Sequence, residues 1–544
     1  MKKILLLISL TSIALSGFPQ QTIVKYLSGT DKDHTVKWDF FCTGGRNSGK
    51  WTKIPVPSNW ELQGFGTYNY GHDKPKADEQ GQYKHEFTAG NWTGKRIIIV
   101  FEGSMTDTKV LINGKQAGEV HQGSFYRFKY DITDLVKLNQ KNLLEVTVSK
   151  MSANESVNQA ERKSDFWVFG GIYRPVYLEV VPQAHIERMA VNAKADGSFT
   201  MDVYAKNLKG NEVIEGQVQK LNGENVGKPF TVSANTAQEF VQLKSNFEKP
   251  LLWTAETPNM YQVVISIKNK GTVIHKVKEK FGFRTVELRL NDGFYVNGAR
   301  VIMKGSNRHS FWPESGRTLS YEVNLLDAKL MKQMNMNAVR MSHYPPDADF
   351  LSICDSLGLY VLDELTGWQA KYDTEVGRKL VKELVVRDVN HPSIVFWDNG
   401  NEGGWNRELD NDYALYDPQK RTVIHPWEKF NGTDTKHYPD YNAVKKIVET
   451  GKEVFFPTEY MHGLYDGGAG AGLDDFWSLT QKHPHNAGGF IWAFIDEGVI
   501  RTDKGGIYDT DGNHGADGIV GPHREREASF YTIKEIWSPV YIEP

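Results

Sequence analysis

The apolar positions of this chain change their period once, and that change divides it. From about residue 22 to 182, short runs alternate apolar and polar side chains and are separated by Gly, Asn, Asp and Pro, the pattern of β-strands joined by turns. Residues 96–101, Arg-Ile-Ile-Ile-Val-Phe, predict a buried strand, and 110–112 followed by Asn113-Gly114 predict a strand entering a type I′ hairpin. Further strands are expected at 143–148 and 175–180. The segment reads as an all-β sandwich. From 183 to 288 the alternation continues, with strands expected at 199–204, 213–218 and 261–267, over the length of an immunoglobulin-like sandwich. Neither segment shows a helical period.

From Asn291 onward, strand-like runs alternate with longer helical stretches. The runs end at 308–309, 341–343, 363–364, 401–402, 425–427, 437–438, 459–460 and 492–493, and helical patterns such as 322–334 and 347–357 fall between most of them. Eight such repeats over about 255 residues predict a TIM (β/α)8 barrel, residues 289–544. The connection after the fifth strand is too short for a regular helix. The expected fold class is multidomain, β followed by α/β, with sandwiches at 20–182 and 183–288.

The first residues stand apart. Lys2 and Lys3 precede an apolar run, 4–15, and Ser16-Gly17 follows, which predicts a cleaved signal peptide over 1–19 and a periplasmic or secreted protein. The run is too short to span a bilayer, and no cysteine follows it to carry a lipid anchor.

Composition narrows the function. With 40% hydrophobic and 24% charged residues, the chain is neither disordered nor a multi-span membrane protein. A net charge of −3 offers no electrostatic footprint for nucleic acid or an anionic membrane. Aromatic residues, at 12%, suit stacking on sugar faces as well as β-rich cores. Cys42 and Cys354 are too few for a disulfide framework or a Cys/His metal cluster, and both read as small buried hydrophobes. The glycine-rich stretch 466–473 reads as a mobile loop, since it lacks the Lys-Ser/Thr of a phosphate loop.

Active sites of TIM barrels lie at the C-terminal ends of the strands. Here the fourth strand ends in Asn401-Glu402 and the seventh in Thr458-Glu459-Tyr460, so two carboxylates are delivered to one mouth. Glycosidic cleavage needs such a pair, one to protonate the leaving oxygen and one to attack the anomeric centre. A structural ion pair is the alternative reading of the same spacing.

These segments resemble glycoside hydrolase family 2, the β-galactosidase, β-glucuronidase and β-mannosidase family, over essentially the whole mature chain. Val56-Pro-Ser-Asn-Trp60-Glu-Leu-Gln-Gly64 resembles the opening motif of its jelly-roll-like sugar-binding domain, and Asp165-Phe-Trp-Val-Phe-Gly-Gly-Ile-Tyr-Arg174 the segment closing it. Asn337-Ala-Val-Arg-Met-Ser-His343 resembles the signature on the second barrel strand, and Gly400-Asn401-Glu402 and Thr458-Glu459-Tyr460 the two catalytic motifs. The resemblance implies that Glu402 is the general acid/base and Glu459 the nucleophile of a retaining mechanism. Glu402 is then expected to have a raised pKa and Glu459 to be ionised among donors. It further implies that Tyr438 bonds the nucleophile, Asn401 holds the sugar 2-hydroxyl, and His309, His343 and His462 meet sugar hydroxyls. Trp492 would stack beneath the glycone, and Asp165 would touch it from the sandwich. Arg340 would hold Glu459 ionised or serve as a barrel-core ion pair.

The departures bear on the sugar and on metals. Metal-dependent β-galactosidases of the family carry Glu-Thr-His after the third strand, where this chain has Leu365-Thr-Gly-Trp-Gln-Ala370, so no metal ligand set transfers and no cofactor is required. Asp509-Thr-Asp511-Gly-Asn513 has the carboxylates of a calcium loop but a misplaced glycine, and reads as a turn. After Arg308-His309 come Ser310-Phe311-Trp312 in place of further histidines. The Asn-x-Lys of β-glucuronidases after the eighth strand is missing, although Arg501 and Lys504 lie nearby as candidate cations. The expectation is a retaining exo-acting β-glycosidase, a β-galactosidase first and a β-glucuronidase second, binding carbohydrate and free to form homo-oligomers. A non-catalytic carbohydrate-binding protein would not need both carboxylates, and a surface protein of immunoglobulin-like repeats would not need the barrel. The chain ends just after the last barrel helix, which suggests a three-domain minimal or truncated form.

Overall fold

A computed structural model describes residues 21–462 and 470–540. The expected signal peptide and the first half of the glycine-rich stretch, 466–469, lie outside the described residues.

Residues 21–182 form a sandwich of two antiparallel sheets. One orders Ile23–Tyr26, Val176–Pro182, Lys95–Phe101 and Phe128–Asp131; the other runs from Trp51–Val56 through Val36–Cys42, Gln80–Thr88, Lys141–Ser149 and Asp107–Ile112 to Lys115–Gln116. Alternate residues of each, among them Trp38, Ile97, Ile99, Val110, Leu144 and Val146, fill the space between. Asn113 and Gly114 both have positive φ, 52° and 78°, as a type I′ hairpin demands. The sandwich also contains a helix that the pattern does not predict, Glu155–Glu161, capped by Asn154 accepting from Ser156 N. Seven residues make fewer than two turns, too few for a 3.6-residue period to register. A second sandwich follows, with three strands (His185–Ala193, Ser198–Lys206, Val241–Asn246) facing four (Asn225–Ser233, Glu212–Lys220, Tyr261–Asn269, Thr272–Phe281). Its seven strands give the immunoglobulin-like count.

The barrel strands are β1 (Met303–Arg308), β2 (Ala338–Met341), β3 (Tyr360–Trp368), β4 (Ile394–Asn401), β5 (Thr422–Ile424), β6 (Thr433–Asp434), β7 (Val454–Phe455) and β8 (Gly488–Ile491). Parallel ladders join β8-β1-β2-β3-β4-β5 in that order, and another joins β6 to β7. No ladder joins β5 to β6. There the chain makes a hairpin, Lys429–Phe430 against Thr433–Asp434, in place of a helix. The third strand runs past its expected end at 363–364, so Asp363 and Glu364 lie inside it, both fully buried.

One apolar cluster crosses the boundary between the first sandwich and the barrel. Tyr70, Phe125, Val157, Phe166 and Phe169 of the sandwich join Met341, Tyr344, Leu365 and Leu380 of the barrel. Polar anchors reinforce it. The buried Arg174 donates from Nε to Asp347 (2.9 Å), from Nη1 to the Phe125 carbonyl (2.8 Å) and from Nη2 to the Pro345 carbonyl (2.9 Å). Arg284 does the same for the second sandwich, donating to Ile394 O at 2.7 Å and to Gln419 Oε1 at 2.8 Å.

Arg174→Ala would leave two carbonyls and a carboxylate without their donor, at a cost on the order of 3 kcal/mol. Thermal unfolding is expected to show a lowered midpoint, and an unchanged midpoint would mean that the apolar cluster alone docks the sandwich.

Candidate active site

The carboxylates arrive from opposite sides of the mouth. Glu402 follows the last residue of β4, and Glu459 stands four residues beyond β7. Three residues of the rim, Gln369, Glu402 and Tyr438, hold φ at 55°, 46° and 42°, a left-handed conformation that costs a non-glycine residue energy and is kept where the surroundings dictate it. One side-chain oxygen of Glu402, one of Glu459 and a ring nitrogen of His437 all lie within 4.8 Å of one another.

Glu459 is held by donors. Arg340 Nη1 donates to its Oε1 at 2.8 Å and the Tyr438 hydroxyl to its Oε2 at 2.7 Å. Arg340 is fully buried on β2 and also binds Asp398 Oδ2 (3.0 Å) on β4, Asn307 Oδ1 (2.9 Å) on β1, Asn401 Oδ1 (2.7 Å) and, closely, Glu364 on β3. Both of its expected roles are thus present together. One guanidinium faces three carboxyl groups, and burial answers the imbalance. It pushes Glu364 up to about 8, against the pull of Arg340, and Asp398 well above the usual carboxylate range. Protons on those two leave Glu459 as the carboxylate against which the Arg340 charge is set.

The Glu364 proton has a second effect. His343 Nδ1 lies 3.0 Å from Glu364 Oε1, and burial holds the imidazole pKa down to about 3. A protonated Glu364 donates to Nδ1, so His343 keeps its N–H on Nε2, 3.8 Å from Glu459 and turned toward the mouth. Asn401 likewise has its oxygen engaged and its buried amide nitrogen unpartnered, ready to donate to a bound hydroxyl.

Glu402 departs from expectation. Burial raises its pKa, but the hydrogen bond and charge of His437, with a further bond from Gln369, outweigh it and bring the carboxyl down to about 2. His437 Nδ1 is 2.9 Å from Glu402 Oε1 and 3.4 Å from Glu459 Oε2; Gln369 Nε2 donates to Glu402 Oε2 at 2.9 Å. The opposite nitrogen, Nε2, meets Thr458 Oγ1 at 2.8 Å, while that hydroxyl donates to Thr435 O at 3.2 Å. All these contacts are satisfied together only if Nε2–H donates to Thr458, which puts one further proton between Nδ1 and Glu402. In the unliganded site the acid's proton therefore belongs to a Glu402–His437 pair, not to an isolated carboxyl raised by its surroundings.

The other expected residues divide. Trp492 follows β8 with His343 stacked on one face (5.0 Å, 15°), and its Nε1 donates to Asp517 Oδ2 at 2.7 Å. His462 Nε2 is 3.4 Å from the same oxygen. Asp165 reaches the rim from the sandwich, half exposed, with His514 Nδ1 at 3.0 Å. His309 does not face the mouth. It is 1% exposed, with Nδ1 on the Tyr344 hydroxyl (3.0 Å), Nε2 3.2 Å from Glu497, and the edge of Trp492 against its ring. Its expected contact with sugar hydroxyls is replaced by a supporting one behind Trp492. Arg501 and Lys504 are not free cations either. Arg501 binds Asp503 and Asp509 (2.7 and 2.6 Å), and Lys504 lies 3.2 Å from Asp509. In their place the wall carries acids. Burial raises Asp517 to about 8 and Glu497 well above the ordinary range. His437, Glu364, Gln369 and Asp517 are thus site residues to which the sequence reading gave no role; His437 and Glu364, both at expected strand ends, were the two with a local signal.

Comparison with known proteins bears on the three domains. Three family models match in order: "Glycosyl hydrolases family 2, sugar binding domain" over 47–182, "Glycosyl hydrolases family 2" over 184–284, and "Glycosyl hydrolases family 2, TIM barrel domain" over 286–542. A β-galactosidase of Halalkalibacterium halodurans is 29% identical over 91% of this chain and 54% of its own, and one of Lactobacillus delbrueckii subsp. bulgaricus is 29% identical over 90% and 53%. The chain thus spans about half the length of these relatives. The structure of Bifidobacterium dentium β-glucuronidase, complexed with coumarin-3-O-glucuronide, shares the fold at a TM-score of 0.78 and 20% identity, covering 96% of this chain and 97% of that one.

Arg340→Met is expected to destabilise the barrel by several kcal/mol, about 3–5, because it strands Glu459 without its buried partner. Adding Glu459→Gln to that variant should recover part of the loss in thermal unfolding; strictly additive losses would mean that the two side chains do not depend on each other.

Proposed function

The chain belongs to glycosyl hydrolase family 2, and on that premise we propose that it is a retaining, exo-acting β-glycosidase that removes a terminal β-linked galactose from an oligo- or polysaccharide outside the cytoplasm. The observation that carries the mechanism is the carboxylate separation. One oxygen of Glu402 and one of Glu459 lie within 4.8 Å of each other, inside the roughly 5–5.5 Å of retaining enzymes and well short of the 6.5–9.5 Å or so that leaves room for water in inverting ones.

Two displacements follow. Glu459, set against Arg340 and Tyr438, attacks the anomeric carbon as the C–O bond to the leaving group breaks, and Glu402 delivers the pair's proton to the departing oxygen. Water then adds to the glycosyl-enzyme carbon, Glu402 takes its proton, and Glu459 leaves as carboxylate. Asn401 Nδ2 is placed to hold the 2-hydroxyl through both steps. His437 acts through Glu402. While it holds the shared proton, its Nδ1–H stabilises the Glu402 carboxylate, and a leaving oxygen that displaces this bond returns the proton to Glu402 for transfer. Arg501 and Lys504, the cations nearest the eighth strand, are engaged by Asp503 and Asp509, which supports a neutral glycone over a uronate.

With p-nitrophenyl β-glycosides, galactoside is expected to be cleaved and Glu459→Gln to lose activity by more than about 10⁴-fold while remaining folded. Preferential cleavage of the glucuronide would overturn the glycone, and a fully active Glu459→Gln the nucleophile. In His437→Gln the acid's proton rests on a lone carboxyl instead of a carboxylate–imidazole pair, so the alkaline limb of kcat/KM should move to lower pH by about one unit or more. An unmoved limb would show that His437 does not hold that proton.

A further inference from the structure

The Asp509–Asn513 stretch, a turn in which Asp511 N donates to Asp509 Oδ1 at 2.9 Å, presents its second carboxylate to a residue of another domain. Asp511 Oδ2 lies 3.2 Å from Nε2 of His72, which follows the sandwich strand Asn69–Tyr70. The ring of His514 stands 4.9 Å from that of His72, and one ligand atom from each of the three residues falls within 4.8 Å of the others. We propose that His72, Asp511 and His514 form a binding site for a zinc-type divalent cation that ties the sandwich to the barrel at the rim of the mouth, with Asp165 orienting His514.

The chemistry of the donors selects the ion. Two imidazoles and one carboxylate are the set that a borderline-soft ion takes at about 2.0–2.1 Å, with water completing a tetrahedron. Such a tetrahedron has edges of about 3.3 Å, close to the separation of His72 Nε2 and Asp511 Oδ2. His514 Nδ1 lies 3.0 Å from Asp165 Oδ1, the placement of a carboxylate behind a histidine ligand, and its other ring nitrogen, Nε2, is the one offered for coordination. Asp73, 3.8 Å from His72, adds negative charge at the edge of the group. Taken as two salt bridges, the same contacts would put two imidazolium rings 4.9 Å apart, where they repel each other. Since Asp165 also faces the glycone, an ion here would hold that contact in place.

Isothermal titration of the tag-free, chelator-stripped full chain with ZnCl2 is expected to show one site of micromolar affinity or tighter. His72→Ala and His514→Ala should each weaken it by more than about 100-fold, and Asp165→Asn by about 10-fold. Zinc should raise the thermal midpoint of the wild type but not of the two histidine variants, whose metal-free midpoints should match it because both side chains are half exposed. Among the described residues Glu402, His437 and Glu459 form the other group that could hold zinc, and His437→Gln separates the two. Binding that survives in both histidine variants, binding lost in His437→Gln, or no heat from a folded wild type would each overturn the site.

Discussion

A single buried cation organises this molecule. Arg340 is a barrel-core residue by position, yet its five N–H groups reach four other parts of the barrel: Asn307 on β1, Glu364 on β3, Asp398 and Asn401 on β4, and Glu459 after β7. A charge so far from water persists only when its partners fill every direction, and the planar guanidinium suits that task where an ammonium would not. The three acids around it outnumber its charge, so two are driven to hold protons. One of those, on Glu364, selects the tautomer of His343. A constraint in the core thus reaches the mouth through one hydrogen bond at a time.

The first sandwich is part of the same construction. Its inner face continues into the barrel's apolar cluster, and Arg174 ties its last segment to the loop after β2. That docking brings Asp165 to the rim, where no barrel strand could place it. The wall around the glycone therefore comes from loops of two domains, while the reacting carboxylates rest on the barrel alone. Changes of sugar preference can accumulate in the first set without disturbing the second.

Much of this was legible in the chain. Period-2 alternation marks both sandwiches, and the eight strand ends place Glu402, Glu459, Asn401, Tyr438 and Trp492 at one mouth, because a parallel barrel puts every strand's C-terminal end on the same face. What escaped has physical causes. The helix Glu155–Glu161 is shorter than its own period can reveal. β3 runs on past the acids expected to end it, which puts Glu364 beside Arg340, a contact between strands that no local pattern encodes. His309 sits beside a strand end like the true mouth residues, but the bulk of Trp492 covers it. The direction of the Glu402 shift was read from the general-acid role alone; the imidazole that reverses it lies 35 residues away and is brought there by the hairpin after β5.

That hairpin leaves a seam in the barrel. From β8 to β5 the strands form one continuous arc; β6 and β7 form a second, linked to the first on the far side by the bridges Phe455–Asn486 and Tyr460–Ile491. Glu402 belongs to the long arc, Tyr438 and Glu459 to the short one. In place of a ladder, single backbone bonds cross the seam, Glu402 N to Pro426 O (3.3 Å) and Trp427 N to Thr435 O (3.2 Å), and the side chains of His437 and Arg340 add two more lines between the carboxylates. Breathing of the short arc would change the gap between acid and nucleophile directly, so amide exchange in β6 and β7 should report on the catalytic geometry more closely than exchange anywhere in the long arc.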